Sequence, residues 1–313
     1  MRGGRLYWKA MLYAGFFWAA GFGNGESKPV ANAVTVVANP AVEAHRAAID
    51  GIRAAFNGTT LDVRVVDLTA STGERRGVER FAAPGTRLII AVGTDAIQLV
   101  AAEKPDVPVI STMVLRGPGA GTQPGNPAAT ISLDVPLQAV LLRLKQIFPG
   151  KTRLAIVRNP KTAALAAGTL QAQAEQQGFV ARVVECSGIE QLLAELQKLK
   201  GQVDFVWCIP DGTLYNSATI KPLILSSIEN RLPLVGFSEG FARAGAAIGI
   251  YPDFRDVGVQ TGETAQQVMA GQNVRSAEGP RKVKIAVNQS VLRLLGLRYA
   301  PSAANAQDFV VLQ

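Results

Sequence analysis

Short, unbroken runs of apolar residues recur along the chain, and between them lie longer stretches in which apolar residues return every third or fourth position. An unbroken run is typical of a strand buried on both faces of a parallel sheet, and the longer spacing is typical of a helix with one buried face. The runs fall at residues 34–38, 87–92, 153–157, 205–209 and 232–237. Because strand and helix alternate, and the series begins afresh near 153, the pattern predicts an α/β fold with two doubly wound parallel-sheet lobes.

Polar residues follow most of these strands at the point where each strand ends. In the stretch 204–217, DFVWCIPDGTLYNS, an apolar strand is followed by Pro210 and Gly212, which favour a turn, and by the side-chain oxygens of Asp211 and Thr213. Ligands bind at the carboxyl ends of the strands in open α/β sheets. We therefore predict a ligand-binding site made of strand-end residues from both lobes: Gly93, Thr94, Ser111, Thr112, Asn159, Asp211, Thr213, Ser238, Glu239 and Asp253.

Each of these residues also has a purely structural interpretation. Residues such as Asp211 and Thr213 routinely cap helices after a strand, so capping and ligand contact both stay open for them. The backbone N–H groups at Gly93 and Thr94 suit a carboxylate, and they equally suit a tight turn before a helix. Asp253 can pair with a ligand ammonium or cap the helix that follows it.

Aromatic residues and the single histidine add few ligand candidates. Tyr215 and Tyr251 can stack on a ring, although packing is the commoner role for a tyrosine at a strand end. Trp207 lies inside an apolar run and is assigned to the core. His45 follows a strand-end turn on the first helix, where we expect a surface or capping role in preference to ligand contact.

The start of the chain has the features of a secretory signal. A basic beginning precedes an apolar run at residues 10–22, which is too short for a comfortable membrane span, and Ala-Asn-Ala at 31–33 provides a cleavage site. We predict a signal peptide at residues 1–33, cleaved after Ala33, and a periplasmic mature protein. An uncleaved membrane anchor is the alternative.

Export places two cysteines in an oxidising compartment, where a disulfide must be considered. Cys186 and Cys208 lie near the ends of consecutive strands of one lobe, and in a flavodoxin-like strand order a third strand separates them. Two strand spacings amount to roughly 10 Å, which exceeds the reach of a disulfide. We predict two unpaired, mostly buried thiols.

Charge and motif content argue against several classes of function. The net charge is +8, but the basic residues are scattered and no aromatic residues are interleaved with them, so we expect no nucleic-acid partner. One histidine, no cluster at metal-ligand spacing and no GxSxG or Walker motif predict a protein that is not an enzyme and that uses no metal or cofactor. The sharpest enzymatic alternative is a cofactor-independent racemase or decarboxylase, which needs Cys186 and Cys208 to face each other across a cleft.

The connecting segments indicate how the lobes are joined. Residues 116–127 hold four glycines and three prolines, which predicts a mobile surface loop or a flap over a cleft. Asp134 can cap the helix that follows it. The last third of the chain fits crossings between the lobes. The predicted boundaries are 34–132 with 249–277 for the N-terminal lobe, and 133–248 with 278–313 for the C-terminal lobe.

Several short motifs, in their order along the chain, resemble a known family. They are IIAVGT at 89–94, VRNP at 157–160, VD at 203–204, IPDGT at 209–213, LPLVG at 232–236, AGA at 244–246, DVG at 256–258 and VN at 287–288. The set resembles the ABC-transporter substrate-binding family that includes tryptophan- and other aromatic-amino-acid-binding proteins. The resemblance covers about residues 34–301.

This resemblance implies a type I periplasmic-binding fold, in which two lobes joined by a three-segment hinge close on a small-molecule ligand. It implies the periplasmic solute-binding component of an ABC-type uptake system, with a permease in the inner membrane as its partner. The solute is expected to be small and polar, an amino acid or a related carboxylate, and the protein is expected to be a monomer. A periplasmic sensor or adaptor for a membrane partner is the alternative on the same fold.

The chain departs from the family pattern after the fourth strand. The family often has an Asp-Pro pair there, whereas this chain has Arg116 and Gly117. An arginine that faces the cleft would favour an acidic ligand.

Overall fold

The strands of the protein form two sheets, each the centre of one lobe. The computed structural model describes residues 32–69, 81, 84–116, 125–300 and 307–313. The predicted signal peptide therefore lies almost wholly outside the described residues, as does most of the glycine- and proline-rich segment at 116–127.

The first sheet has six described strands in the order β11-β5-β4-β3-β1-β2, and every neighbouring pair is parallel. Its central strands are buried, because each consists of one of the apolar runs. Its strands are β1 (Ala33–Ala38), β2 (Asp62–Asp67), β3 (Thr86–Val92), β4 (Val109–Val114), β5 (Ala129–Ser132) and β11 (Ala277–Glu278). The helices packed on it are α1 (Glu43–Ala55), α2 (Thr94–Glu103) and α8 (Phe254–Met269).

The second sheet has seven described strands in the order β13-β12-β10-β9-β8-β6-β7. They are β6 (Arg153–Arg158), β7 (Val180–Glu185), β8 (Phe205–Cys208), β9 (Leu234–Gly236), β10 (Ile248–Pro252), β12 (Val283–Asn288) and β13 (Phe309–Leu312). The helices of this lobe are α3 (Leu137–Ile147), α4 (Ala167–Gln176), α5 (Ile189–Leu199), α6 (Ile220–Glu229), α7 (Glu239–Arg243) and α9 (Gln289–Leu294). Apolar clusters fill both faces of the sheet.

The predicted two-lobed α/β architecture is confirmed, with one exception to the parallel arrangement. Strands β10 and β12 are antiparallel. The chain leaves the second lobe at the carboxyl end of β10 and returns to the same edge at the start of β12, so the two strands run in opposite directions.

Within the described residues the chain passes between the sheets after Ser132, after Pro252 and after Glu278. The prediction assigned residues from 249 onward to the first lobe, but β10 belongs to the seven-stranded sheet, so that crossing lies later. The apolar run at 246–251 indicates a buried strand without indicating which sheet it joins.

Candidate functional site

The carboxyl edges of the two sheets border a cavity of about 410 Å³. From the first lobe, Leu115 and Arg116 follow β4, and Asp134 follows β5. From the second lobe, Thr162 follows β6 and Pro210 follows β8. The cavity thus lies at the strand edge where open α/β sheets bind ligands, and its volume suits a small organic molecule.

Arg116 and Asp134 form an ion pair on the wall of the cavity. The Oδ2 atom of Asp134 accepts hydrogen bonds from the backbone N–H of Arg116 at 2.9 Å and from its Nε at 3.1 Å. The predicted capping of helix α3 by Asp134 is not observed, because that helix begins after Pro136 without a side-chain cap. Among the described residues nothing bonds to the Nη atoms of Arg116.

Apolar side chains form another part of the cavity wall. Trp207 is 6% exposed and packs in the core, as predicted, but it also borders the cavity. Ile209, two residues later, and Leu170 of α4 continue the wall. Successive side chains of a strand point to opposite faces, so Trp207 and Ile209, two residues apart, lie on the same face of the sheet. This spacing in the sequence could have predicted the apolar wall.

Asp211 joins two of the loops at this edge. Its Oδ1 atom accepts hydrogen bonds from the backbone N–H groups of Thr213 at 2.9 Å and Leu214 at 2.8 Å. Its Oδ2 atom accepts a hydrogen bond from the hydroxyl of Thr162. These bonds fix the turn after β8 and hold the β6–α4 loop in place, but Asp211 does not cap a helix, because α6 begins only at Ile220, after Thr219. Solute contact by Asp211 or the exposed Thr213 stays a prediction.

Asn159 shapes the same β6–α4 loop from inside the protein. Its Oδ1 atom accepts a hydrogen bond from the backbone N–H of Lys161 at 3.0 Å, and its carbonyl accepts from Thr162 at 3.2 Å and Ala163 at 2.9 Å. The side chain is 4% exposed. Its observed contribution is therefore to the shape of one cavity wall.

Gly93 and Thr94 lie at the edge of the first sheet, where β3 passes into α2. Gly93 has a φ of 85°, and a β-carbon there would lie 2.7 Å from Cε1 of His45. The half-buried His45 has its Nδ1 atom 3.2 Å from the carbonyl oxygen of Asn39. Burial lowers the pKa of His45, although the Asn39 carbonyl and the Asp95 carboxylate act in the opposite direction.

Ser111 and Thr112 lie inside β4 and not at its end, because the strand continues to Val114. Ser111 is 1% exposed and its Oγ atom has no partner among the described residues, while the hydroxyl of Thr112 accepts a hydrogen bond from Thr261 at 3.0 Å. A bulge at Met113, with a φ of 58°, shifts the register with β5. The predicted strand end was therefore too early, and the residues that reach the cavity come after the bulge.

The remaining predicted residues of the second lobe are bonded within the protein. Ser238 caps α7 by accepting from the N–H of Phe241 at 3.0 Å. Glu239 accepts a hydrogen bond from the hydroxyl of Tyr251 at 2.9 Å. Asp253 caps α8 and lies 3.6 Å from the ammonium of Lys284. All three occupy the carboxyl edge, and their observed role is to fix the ends of helices and strands.

Cys186 and Cys208 are unpaired and buried, as predicted, and β6 lies between their strands. Burial raises the pKa of the Cys208 thiol to about 12 and that of Cys186 to about 11. Both belong to one apolar cluster with Tyr215, whose ring packs against Phe237 and Phe241. The racemase alternative requires the two thiols to face each other across the cavity. They do not, because both are buried in this one cluster and neither lines the cavity.

The described ranges contain no group of three or more His, Cys, Asp or Glu side chains arranged to hold a metal ion. No helix in the same ranges has the length and apolar character needed to cross a membrane.

Known proteins resemble the chain over most of its length. It is 21% identical over 276 residues to a tyrosine-binding protein of Clostridioides difficile, covering 83% of this chain and 77% of that one. The ligand-free, open structure of a substrate-binding protein with adhesive properties from Clostridium difficile has a TM-score of 0.64 at 19% identity, over 90% of this chain and 99% of the other. An ABC domain from Streptococcus pneumonia in complex with L-Trp has a TM-score of 0.55 at 18% identity, with the same two coverages. The fold is that of a type I periplasmic binding protein.

A family model described as ABC transporter substrate-binding protein matches residues 29–307. Members of that family are not enzymes; they bind small molecules outside the cytoplasmic membrane and deliver them to ABC permeases. The match spans both lobes and all the described crossings between them. The chain belongs to the family of ABC transporter substrate-binding proteins.

Proposed function

We propose that this chain is the periplasmic solute-binding component of an ABC-type uptake system, and that its two lobes close around a small polar solute, an amino acid or a related carboxylate. The observation that carries the proposal is the cavity of about 410 Å³, because both lobes line it. A solute held by both lobes favours the arrangement in which they are closest, so binding and closure are coupled.

The chemistry of the cavity favours a solute with a carboxylate and an apolar side chain. The Nη atoms of Arg116, which have no partner among the described residues, suit a carboxylate, which a guanidinium binds through paired hydrogen bonds. Because Asp134 compensates the charge of Arg116, a solute with no net charge fits better than a dianion. Trp207 and Ile209 offer apolar surface to a side chain.

Two relatives agree with this class of solute. One is named a tyrosine-binding protein, and another was solved in complex with L-Trp. Both amino acids combine a zwitterionic end with a ring. L-tyrosine and L-tryptophan are therefore the first solutes to test.

We propose further contacts from the strand-end residues when the lobes close. Micromolar affinity corresponds to about 8 kcal/mol, and one hydrogen bond contributes only about 0.5–1.5 kcal/mol, so several contacts from both lobes must combine. Ser111 and Thr112 are left out because they lie inside β4. The remaining candidates are Gly93, Thr94, Asn159, Asp211, Thr213, Ser238, Glu239 and Asp253.

The test is a thermal-shift screen of the purified protein against the twenty amino acids, dicarboxylic acids and sugars, followed by calorimetry of whatever stabilises it. A solute at a hundred times its dissociation constant adds about 2.7 kcal/mol of stability, or about 5 °C or more for a chain of this size. We expect the shift with one or more neutral amino acids. A shift with sugars alone overturns the solute class, and no shift with any compound favours the sensor or adaptor alternative.

A further inference from the structure

The cavity extends from the carboxyl edge of the second sheet along helix α4. Strands β6 and β7 are parallel neighbours, so α4, which connects them, begins near the carboxyl edge and runs away from it. Leu170, Gln173 and Gln177 line the cavity, and their spacing of three and four residues places them on one side of the helix. Because a helix rises by about 1.5 Å per residue, Gln177 lies roughly 10 Å farther from the edge than Leu170. The cavity is therefore elongated.

The polarity of the cavity lining changes along this length. Among the described residues that line the cavity, Arg116 and Asp134 are the only charged ones, and both follow strands of the first lobe at the carboxyl edge. Leu170 lies between that edge and the far end of α4, and Trp207 and Ile209 add apolar surface from β8. Beyond Leu170, the cavity residues of α4 all carry carboxamides: Gln173, Gln176 and Gln177.

Two of these carboxamides have unused hydrogen-bonding groups. The side chains of Gln173 and Gln177 have no hydrogen-bond partner among the described residues, whereas Nε2 of Gln171 on the same helix donates to Glu175 at 3.1 Å. Gln177 is half-buried and Gln173 is exposed. A carboxamide donates and accepts hydrogen bonds and carries no charge, so it suits a neutral group such as a hydroxyl, which also does both.

The other two kinds of distal group fit this end of the cavity less well. A charged group would find no opposite charge beside it, because Arg116 and Asp134 lie at the other end. A purely apolar group would displace water from the carboxamides without replacing its hydrogen bonds, which reduces affinity. A neutral group that forms hydrogen bonds therefore matches the far end of the cavity best.

We propose that Gln173 and Gln177 determine specificity: their carboxamides form hydrogen bonds with a neutral polar group at the end of the solute's apolar side chain. The inference rests on the proposed function, because it needs an amino acid whose carboxylate binds Arg116. It narrows the solute class to amino acids with a side chain that is apolar along its length and ends in a hydroxyl or a similar neutral group. The solute side chain extends along α4, beside Trp207.

L-tyrosine and L-phenylalanine differ by one terminal hydroxyl, so calorimetry of the purified wild-type protein with these two probes measures the contribution of this group. We expect tyrosine to bind about three- to tenfold more tightly, as one or two neutral hydrogen bonds would produce. If phenylalanine, or an aliphatic amino acid such as L-leucine, binds at least as tightly as tyrosine, this inference fails and the proposed function stands. If no amino acid binds, both fail.

Variants then test whether the two glutamines produce the preference. Methionine resembles glutamine in length, but its thioether is only a weak acceptor. Gln173→Met combined with Gln177→Met should abolish the preference for tyrosine and leave the affinity for phenylalanine unchanged. Gln171→Met is the matched control, because Gln171 lies on the same helix and does not line the cavity, so it should keep the wild-type preference. A change that only disturbs folding lowers both affinities together. An undiminished preference for tyrosine in the double variant overturns the inference.

Discussion

One oxygen of Asp134, Oδ2, accepts two hydrogen bonds from Arg116, from the backbone N–H at 2.9 Å and from Nε at 3.1 Å. The pair joins the ends of β4 and β5 on the wall of the cavity. It fixes the direction of the guanidinium and compensates its charge. The proposed preference for a solute with no net charge depends on this contact between two strand ends.

Arg116→Gln should weaken binding of the amino acid by tenfold or more, because a hydrogen bond to a charged group contributes about 1.5–3 kcal/mol. Stability should change little, since a partly exposed ion pair contributes about 0–1 kcal/mol. Calorimetry and urea unfolding measure the two effects.

The matched control is Arg143→Gln, which breaks an ion pair with Asp308 of similar exposure, 27% and 26% against 31% and 27%, away from this cavity. It should leave affinity unchanged. Equal affinities for the two variants would contradict the role of Arg116.

Thr162→Val removes the hydroxyl that donates to Asp211 while nearly keeping the volume of the side chain. The β6–α4 loop should then loosen, and affinity should fall several-fold with a loss of stability of about 1 kcal/mol. Thr264→Val is the control, because among the described residues its hydroxyl bonds only to the carbonyl of Gln260 in its own helix. The idea that this loop forms a binding wall is refuted if the two variants lose stability equally and neither loses affinity.

Gly93→Ala should destabilise the protein through two effects that a control can separate. Gly93 and Gly150 have φ values of 85° and 83°, so alanine at either position costs about 1 kcal/mol or more in backbone strain. An added β-carbon at position 93 also meets the ring of His45 at 2.7 Å, whereas at position 150 nothing lies within 4 Å.

Urea unfolding should therefore give a larger loss for Gly93→Ala than for Gly150→Ala. Combining Gly93→Ala with His45→Ala should recover the difference. Equal losses in the two single variants would show that the contact with His45 is unimportant.

Gln260 holds the last crossing between the lobes. It is 2% exposed, and its Nε2 atom donates to Glu278 at 3.0 Å and to the carbonyl of Gly279 at 3.2 Å, while its Oε1 accepts from the N–H of Arg281 at 3.3 Å. Gln260→Ala should cost about 1–3 kcal/mol and speed hydrogen exchange at residues 278–281.

Gln266→Ala is the control on the same helix, since its Nε2 atom donates within the first lobe to the carbonyl of Ala55 at 2.6 Å. It should leave exchange at 278–281 unchanged. Faster exchange there in both variants would mean that the crossing is not held by Gln260 in particular.

The sequence predicted the features that depend on local pattern. Apolar runs located the central strands of both sheets, and the strand order placed β6 between the strands that end near Cys186 and Cys208. Polar residues after the strands correctly indicated turns at Gly93 and Asp211. These features follow from periodicity and turn chemistry, which neighbouring residues determine.

Features that depend on distant partners could not be predicted in this way. Met113 has a positive φ, which methionine rarely adopts, so the sequence does not indicate the bulge there. It therefore does not indicate that β4 continues beyond its apolar run. Asp134 had the position of a helix cap, and only the fold brings it to Arg116. Likewise, the sequence of β10 predicts a buried strand, but only its pairing with β9 and β12 assigns it to the second lobe.

Closure of the two lobes around an amino acid is tested most directly by small-angle X-ray scattering of the purified protein, alone and with each of the twenty amino acids at saturating concentration. We expect the radius of gyration to fall with at least one neutral amino acid, and Arg116→Gln to require a higher concentration for the same change. A radius of gyration that stays the same with all twenty would contradict closure on this class of solute.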